Sequence, residues 1–348
     1  MKDIIPKQRD PTFIIAEIGV NHNGDMDTAK KLIDEAKLAG ADAVKFQTFT
    51  AANLAARNTP KVSYQKETVS VDESHYEMLE RLELSHDNHR LLLDYCSEVN
   101  IEFLSTPYDI DSAKFLLSLG VDYFKTASAD IVDLPLHHYL ASTGKLTFIA
   151  VGMATLGEIE EVVKIYHNAG NSNFILLHAV SNYPASDESL NMRVMNTLER
   201  SFGVSVGYSD HSIGYLAAVI AVSRGARVLE KHFTLDKSMP GPDHKASSTP
   251  EEFKDYVKNI RKAELMLGSH LKKCQLEERQ MSSVSRKSIV LSKSVDAGSI
   301  LVMDDFQLQR PGNGISPCHL DSLVGQRVRQ DLERGRQLKW ADLDDGQP

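Results

Sequence analysis

The 348-residue sequence contains no apolar run of the roughly 20 residues that a membrane-spanning helix needs. Its opening segment, MKDIIPKQRDPTFIIAEIG, lacks the extended apolar stretch and small-residue cleavage site of a secretory signal. These absences lead us to expect a soluble, cytoplasmic protein with no membrane partner. Cysteine is scarce, and Cys96, Cys274 and Cys318 stand too far apart for a disulfide framework or a zinc cluster, so reduced thiols are expected. Positive charge is in deficit, with 39 Lys and Arg against 48 Asp and Glu, a net charge of −9. That balance argues against a nucleic-acid partner, because binding a polyanion requires a positive field that releases its counterions. A few lysines inside a cleft can still hold a small anion. No internal repeat or low-complexity tract is evident. The 42% hydrophobic content, by contrast, is ample for a buried core.

Short runs rich in β-branched and aromatic residues recur eight times: FIIAEIG from Phe13, DAVKFQT from Asp42, IEFLST from Ile101, DYFKT from Asp122, TFIAVG from Thr147, NFILLHA from Asn173, VSVGYS from Val204 and RVLEKHF from Arg227. Between them lie amphipathic stretches such as DTAKKLIDEAKLAG, where Gly40 sits at a helix-ending position. Near-continuous apolar strands alternating with helices imply a parallel sheet covered on both faces. Eight such units in about 250 residues match a (β/α)8 TIM barrel. The predicted class is therefore α/β, with the barrel over residues 1–268 and a final helix, PEEFKDYVKNIRKAELMLG, burying Phe253, Tyr256, Val257, Ile260 and Leu267. Residues 51 to about 83 exceed an ordinary strand-to-helix connection and read as an insertion edging the site. Residues 269–284 are polar and read as a linker. Residues 285–348, with turn signals at Asp296-Ala297-Gly298 and Pro311-Gly312-Asn313-Gly314, read as a small β-rich domain.

In such barrels catalytic groups project from the carboxyl ends of the strands. Here those ends carry Glu17; Lys45 and Gln47; Thr106; Lys125 and Ser128; Ala150 and Gly152; His178; Ser209, Asp210 and His211; Glu230 and His232. Lys45 and Lys125 sit in apolar contexts, AVKFQ and YFKTA, where an unpaired ammonium would be costly to bury. With Thr106 and Ser128 they suit a phosphate and a carboxylate on one small ligand, as in phosphoenolpyruvate. The alternative is a structural network in which Glu17 and Glu230 neutralise the two lysines. His211 and His232 end neighbouring strands and fit two ligands of one divalent cation. Glu17 or water would complete an oxygen-rich, open set that favours manganese or magnesium over structural zinc. The sequence has 13 histidines, and His22, His178 and His244 compete for that role.

The segments IIAEIGVNHNGD, AVKFQTF, FLSTPYD, GYSDHS, LEKHFTLDKSMPGPDHKAS and QRPGNGIS, in this order along nearly the whole chain, resemble the sialic acid synthase family, including bacterial N-acetylneuraminate and legionaminate synthases. The resemblance implies that residues 285–348 form an antifreeze-like (SAF) domain. It implies a transferase that condenses phosphoenolpyruvate with N-acetylmannosamine or a related acylamino sugar and releases phosphate. By the same resemblance Lys45, Thr106, Lys125, Ser128 and Ser209 bind phosphoenolpyruvate, and His211 and His232 hold Mn2+ or Mg2+. Glu17 and Glu230 would then face the reacting atoms, with Gln47, Asp130, Tyr183 and Asp243 at the sugar. It further implies a domain-swapped homodimer in which the SAF domain of one subunit brings Arg310 to the sugar's acyl group in the other.

The chain departs from the family's pattern twice. Ala150-Val151-Gly152 stands where Ser-Thr-Gly is usual, and Ser128-Ala129-Asp130 where Ser-Gly-Glu is usual. The first removes a hydroxyl contact worth about 1 kcal/mol; the second shortens a sugar-facing carboxylate. Two rival readings stand beside the synthase: a pyruvate Schiff-base aldolase using Lys45 or Lys125, and a binding homologue without catalysis. A diacetylated acceptor, as in legionaminate or pseudaminate synthesis, is the alternative within the family reading.

Overall fold

The computed structural model describes residues 11–61 and 73–344. Two compact units divide the chain, Met1–Gly268 and Ser269–Pro348.

The first unit holds eight parallel strands: β1 (Phe13–Gly19), β2 (Ala43–Thr48), β3 (Glu102–Pro107), β4 (Tyr123–Thr126), β5 (Leu146–Ala150), β6 (Phe174–Ala179), β7 (Val206–Asp210) and β8 (Val228–His232). Their lateral order is β3-β2-β1-β8-β7-β6-β5-β4, and β3 and β4 lie against each other at the seam, so the sheet curls into a nearly closed α/β barrel. The predicted fold class is thereby met.

Strand alternation divides the side chains between two apolar cores. Outward residues, among them Ile14, Val44, Phe124 and Leu176, pack beneath the helices. Inward residues such as Ile15, Leu104, Tyr123, Phe148, Leu177 and Val228 plug the lower barrel. Gly207 belongs to the inner set, where a Cβ would come within 2.5 Å of both Leu177 Cδ2 and the Val228 carbonyl oxygen, so only glycine fits.

Local chemistry sets the helix ends. Asp25 accepts from the Thr28 N–H to start the helix Met26–Ala39, and Gly40, at φ 95°, ends it. The final barrel helix, Pro250–Leu267, opens with a Thr249–Glu252 capping box and buries Phe253, Tyr256, Val257 and Ile260. Leu267, expected on that face, is 52% exposed: the last turn extends beyond the packed layer. In the insertion, the helices Ala51–Leu54 and His75–Leu82 bring Ala51, Met78, Leu79 and Leu82 against Val20 and Phe49 in a separate apolar cluster. Part of the insertion, residues 62–72, lies outside the described residues. No helix among the described residues is long and apolar enough to cross a membrane.

The second unit begins with a solvated stretch containing the short helix Arg279–Ser285, with no buried residue. Strands β9 (Ser288–Leu291) and β10 (Phe306–Gln309) then pair antiparallel over a core that includes Ile289, Leu301, Leu323, Val328 and Leu338. This unit contains a repeat that the sequence reading missed. Val295, Gly298, Leu301, Val302 and Asp305 recur in spacing as Leu332, Gly335, Leu338, Lys339 and Asp342. Val295 and Leu332 meet in an antiparallel bridge. Each aspartate caps its own short turn, Asp305 accepting from Val302 N–H at 2.8 Å and Asp342 from Lys339 N–H at 2.9 Å.

Candidate active site at the carboxyl end of the barrel

Above the apolar plug the inward-facing positions turn polar. Register places Glu17 opposite Lys45 on one side and His232 on the other, Gln47 opposite Thr106, and Ser209 opposite Glu230. Two buried ion pairs form the floor. Lys45 Nζ lies 2.6 Å from Glu17 Oε2 and donates to Thr106 Oγ1 at 2.9 Å, and Gln47 Nε2 donates to Glu17 Oε1 at 3.3 Å. Across the barrel Lys125 Nζ lies 3.3 Å from Glu230 Oε1, which also accepts from Ser209 Oγ at 2.9 Å. All four charged side chains are 3 or 4% exposed. The lysine–glutamate pairing anticipated as the structural alternative is therefore real. It occupies the base of an open cavity.

The two carboxylates differ electrostatically. Burial pushes Glu17 up to about 7, Lys45 pulling against it. Burial would raise Glu230 too, yet Lys125 and Lys45 draw it down to about 2. Lys45 lies above its ordinary value because Glu17 and Glu230 outweigh its own burial. For Lys125 burial wins and the value falls. Near neutral pH Glu230 is firmly ionised while Glu17, at about 7, is only partly so, which leaves the two lysines incompletely neutralised and able to meet an anion.

A cavity of about 560 Å3 opens above this floor, lined by Glu17, Lys45, Gln47, Thr106, Lys125, Ser128, Ala150, Tyr183, Ser209, His211, Glu230, His232 and Asp243. The structure thus gathers nearly all the sequence-predicted site residues. Asp130 does not line it; Ala129 does, and Asp130 keeps a buried Oδ2 without a hydrogen-bond partner, its carboxyl pushed up to about 7 by burial and by Asp133. Arg310 is an exposed residue of the second unit, directly after β10.

His211 and His232 stand with ring centroids 5.6 Å apart, and Tyr183 packs on both, at 4.2 and 5.3 Å. The His211 Nδ1 lies 2.7 Å from the Val180 carbonyl oxygen, to which it donates, leaving Nε2 with a free lone pair. His232 has a buried Nδ1 with no hydrogen-bond partner, 3.9 Å from Asp243 Oδ2. Burial lowers both imidazoles, and His211 lowers His232 further, so both are held neutral, the form that donates to a metal. This pair satisfies the chemistry of two ligands. Among the described residues no group of three or more His, Cys, Asp or Glu could hold an ion, so water or substrate would fill the remaining positions.

The competing histidines are engaged elsewhere. His178 faces outward, with Nε2 2.7 Å from the Leu190 carbonyl oxygen. His22 Nδ1 accepts from Gly24 N–H, and His244 is held by Thr234 and Asn23. Asp210, counted at the rim from sequence, also points outward and pairs with Lys231 at 3.1 Å. Lys231 Nζ donates to the Ser212 carbonyl at 2.7 Å, and Ser212 donates twice to Asp210. This buried knot ties the segment bearing His211 to the strand bearing Glu230 and His232. Lys231→Met leaves the Asp210 carboxylate buried without its cation, and denaturant unfolding should show a loss of about 3–5 kcal/mol.

Sequence reasoning missed Tyr108, Ser181, Met153 and Pro242 in the wall. Tyr108 follows Pro107 directly and was the most accessible of them: the strand reading stopped at Thr106. Gly152 was named without its reason. Its N–H donates to Ser128 Oγ at 3.1 Å, and a Cβ there would meet Ser181 Oγ at 2.5 Å, so the backbone must approach the site bare.

A parallel barrel whose carboxyl rim gathers paired lysines, carboxylates and neutral imidazoles around one cavity defines a barrel enzyme. The NeuB family profile matches residues 32–272 and the SAF domain profile residues 286–344. The N,N'-diacetyllegionaminic acid synthases of Legionella pneumophila and Campylobacter jejuni are 44% and 42% identical to the chain; the matches cover 95% and 94% of this chain and 94% and 99% of those proteins. The solved N-acetylneuraminic acid (sialic acid) synthetase of Leptospira borgpetersenii, in complex with citrate, is 32% identical with a TM-score of 0.69, over 78% of this chain and 90% of that one. The chain belongs to the NeuB family, whose members are synthases that make carbon–carbon bonds, and its second unit is a SAF domain.

Proposed function

We propose that the protein is a transferase that joins phosphoenolpyruvate to the aldehyde of an acylamino sugar with release of phosphate. The observation that carries this reading is a pair of buried lysines, each set against a glutamate, at the base of an open cavity. Lys45 and Lys125 would take the charges of phosphoenolpyruvate. Thr106, Ser128 and Ser209 supply hydroxyl groups for hydrogen bonds, and Ala150 omits one. His211 and His232 would hold a divalent cation, Mn2+ or Mg2+, which when bound supplies Lewis-acid polarisation of the acceptor carbonyl. Gln47, Tyr183 and Asp243 orient the sugar, and Arg310 reaches its acyl group from the partner of a domain-swapped homodimer.

The methylene carbon of phosphoenolpyruvate then attacks the aldehyde carbon, its π electrons forming the new bond while the carbonyl π pair moves to the aldehyde oxygen, which takes a proton from solvent. Glu230, ionised and anchored by Lys125 and Ser209, stabilises the positive charge left on the enol carbon. Water adds there and gives its proton to Glu17, whose value of about 7 suits a base at neutral pH. Collapse expels inorganic phosphate with the former bridging oxygen, and the new ketone oxygen comes from water. With bridge-oxygen-labelled phosphoenolpyruvate the label should appear in phosphate; label in the keto acid would defeat this route.

N-Acetylmannosamine is one acceptor of the required class. The higher identity to the two N,N'-diacetyllegionaminic acid synthases favours a diacetylated one. A pyruvate Schiff base at Lys125, whose ammonium burial disfavours, is the second reading; borohydride with pyruvate should leave the protein mass unchanged if the synthase reading holds.

A further inference from the structure

On β7 and β8 the residues of the cavity and a buried ion pair stand back to back. Ser209 and His211 flank Asp210, and Glu230 and His232 flank Lys231; the four flanking residues line the cavity, whereas Asp210 and Lys231 face the helix layer. The other charged residues of the eight strands, Glu17, Lys45, Glu102, Lys125 and Glu230, fall on the inward side of the alternation. Asp210 and Lys231 are register partners, 1% and 5% exposed, and the Lys231 ammonium lies over the buried Tyr256 ring of the final helix, 5.2 Å from its centroid. A buried ion pair is a weak source of stability, since well-packed apolar residues in its place are often as stable or more so. Its geometry points to another use. Asp210 Oδ1 accepts from both the N–H and the hydroxyl of Ser212, at 2.9 and 2.6 Å, and Lys231 Nζ donates to the Ser212 carbonyl at 2.7 Å. Both chain neighbours of His211 are thereby tied to the residue that stands between Glu230 and His232.

We propose that Asp210, Ser212 and Lys231 are positioning residues for the histidine pair: they clamp the backbone of His211 to β8 and so set the separation at which His211 and His232 take a divalent cation. This role rests on the reading that the two histidines hold the cation, and deepens it. The Val180 carbonyl fixes the turn of the His211 ring. The clamp fixes where that ring stands relative to β8. Two protein ligands leave little to hold an ion if either is displaced, so affinity depends on both imidazoles being in place beforehand. Charge alone predicts the opposite of a clamp. Lys231→Met removes a positive charge and leaves a carboxylate uncompensated behind the site, which would draw a cation more strongly. The sign of the change in metal affinity separates the two effects.

The test measures Mn2+ binding to the full-length protein from the electron paramagnetic resonance signal of free Mn2+, and phosphoenolpyruvate binding without metal by calorimetry. Lys231→Met should weaken Mn2+ binding by about ten- to hundredfold, the usual cost of lost outer-shell support, and change Kd for phosphoenolpyruvate by less than about threefold. Unchanged or tighter Mn2+ binding, or equal weakening of both ligands, would overturn the clamp and leave the histidine site standing. If the methionine variant does not fold, Ser212→Ala decides by the same readings: it removes one bond to Asp210, leaves the ion pair intact, and should weaken Mn2+ binding by about three- to tenfold. Wild-type protein that binds no Mn2+, or binds it equally well as His211→Ala, would overturn the histidine site, and the clamp with it.

Discussion

Glu17→Gln is expected to lower turnover by about a hundred- to ten-thousand-fold, the usual contribution of a positioned acid–base group. The substitution preserves shape: the amide oxygen still accepts from Lys45, and Lys45 keeps its bond to Thr106. What it removes is the capacity to take a proton. The pH profile carries the sharper signature. Glu17 acts as a base only when ionised, and burial places its folded value at about 7, so wild-type activity should fall as pH drops below about 7. The Gln variant should lack that acidic limb. Glu230, held near 2 by Lys125 and Lys45, stays ionised over the whole range and contributes no limb of its own. Near-normal turnover in the variant, or an unchanged limb, would remove Glu17 from the proton transfer.

Lys125→Met is the second large effect, and it reads on both stability and binding. The methionine fills similar volume but leaves Glu230 charged and 4% exposed, still accepting from the Ser209 hydroxyl. Breaking a buried ion pair from one side costs about 3–5 kcal/mol, to be seen as a lower denaturant midpoint at pH 7. Because Glu230 is depressed below its ordinary value, its contribution is present above pH about 4.5 and lost as pH falls towards 2. The gap between variant and wild type should therefore narrow on acidification. The floor would also lose one of its two lysines, so kcat/KM for phosphoenolpyruvate should fall by about a hundredfold, with loss of a charge-assisted hydrogen bond as the cause. The Lys231→Met variant, on the outer face of β8, the strand that carries Glu230, should share the stability loss and spare much of the anion affinity.

Most of the barrel was legible because its strands announce themselves as apolar runs at regular intervals. Their carboxyl ends told which residues to watch, and Lys45, Lys125, Glu17 and Glu230 converge as strand position required. Facing was harder. One residue of uncertainty at a strand end turns a side chain from the cavity to the helix layer, which is why His178 and Asp210 stood among the rim candidates and point outward. The pairing of each lysine with a specific glutamate could be posed but not resolved from sequence, since register between strands decides it. The apolar cluster of the insertion was invisible for a different reason. Leu54 and Leu82 lie at opposite ends of the insertion with no periodicity linking them, and only tertiary contact brings them together. In the SAF domain the repeat escaped because its two copies share spacing and only three identities, Gly298 with Gly335, Leu301 with Leu338 and Asp305 with Asp342. Leu267 misled by continuing a helical face beyond the layer that covers it.

The central claim is that this cavity binds phosphoenolpyruvate and spends its carbon–oxygen bond on an acylamino sugar. Phosphate release should be followed with phosphoenolpyruvate alone, then with N-acetylmannosamine and with a diacetamido-trideoxyhexose, each with manganese, with magnesium and with chelator. Release is expected only when an acceptor and a divalent cation are both present, in step with formation of a longer keto acid. Release without acceptor, equal release in chelator, or none with any sugar would contradict it.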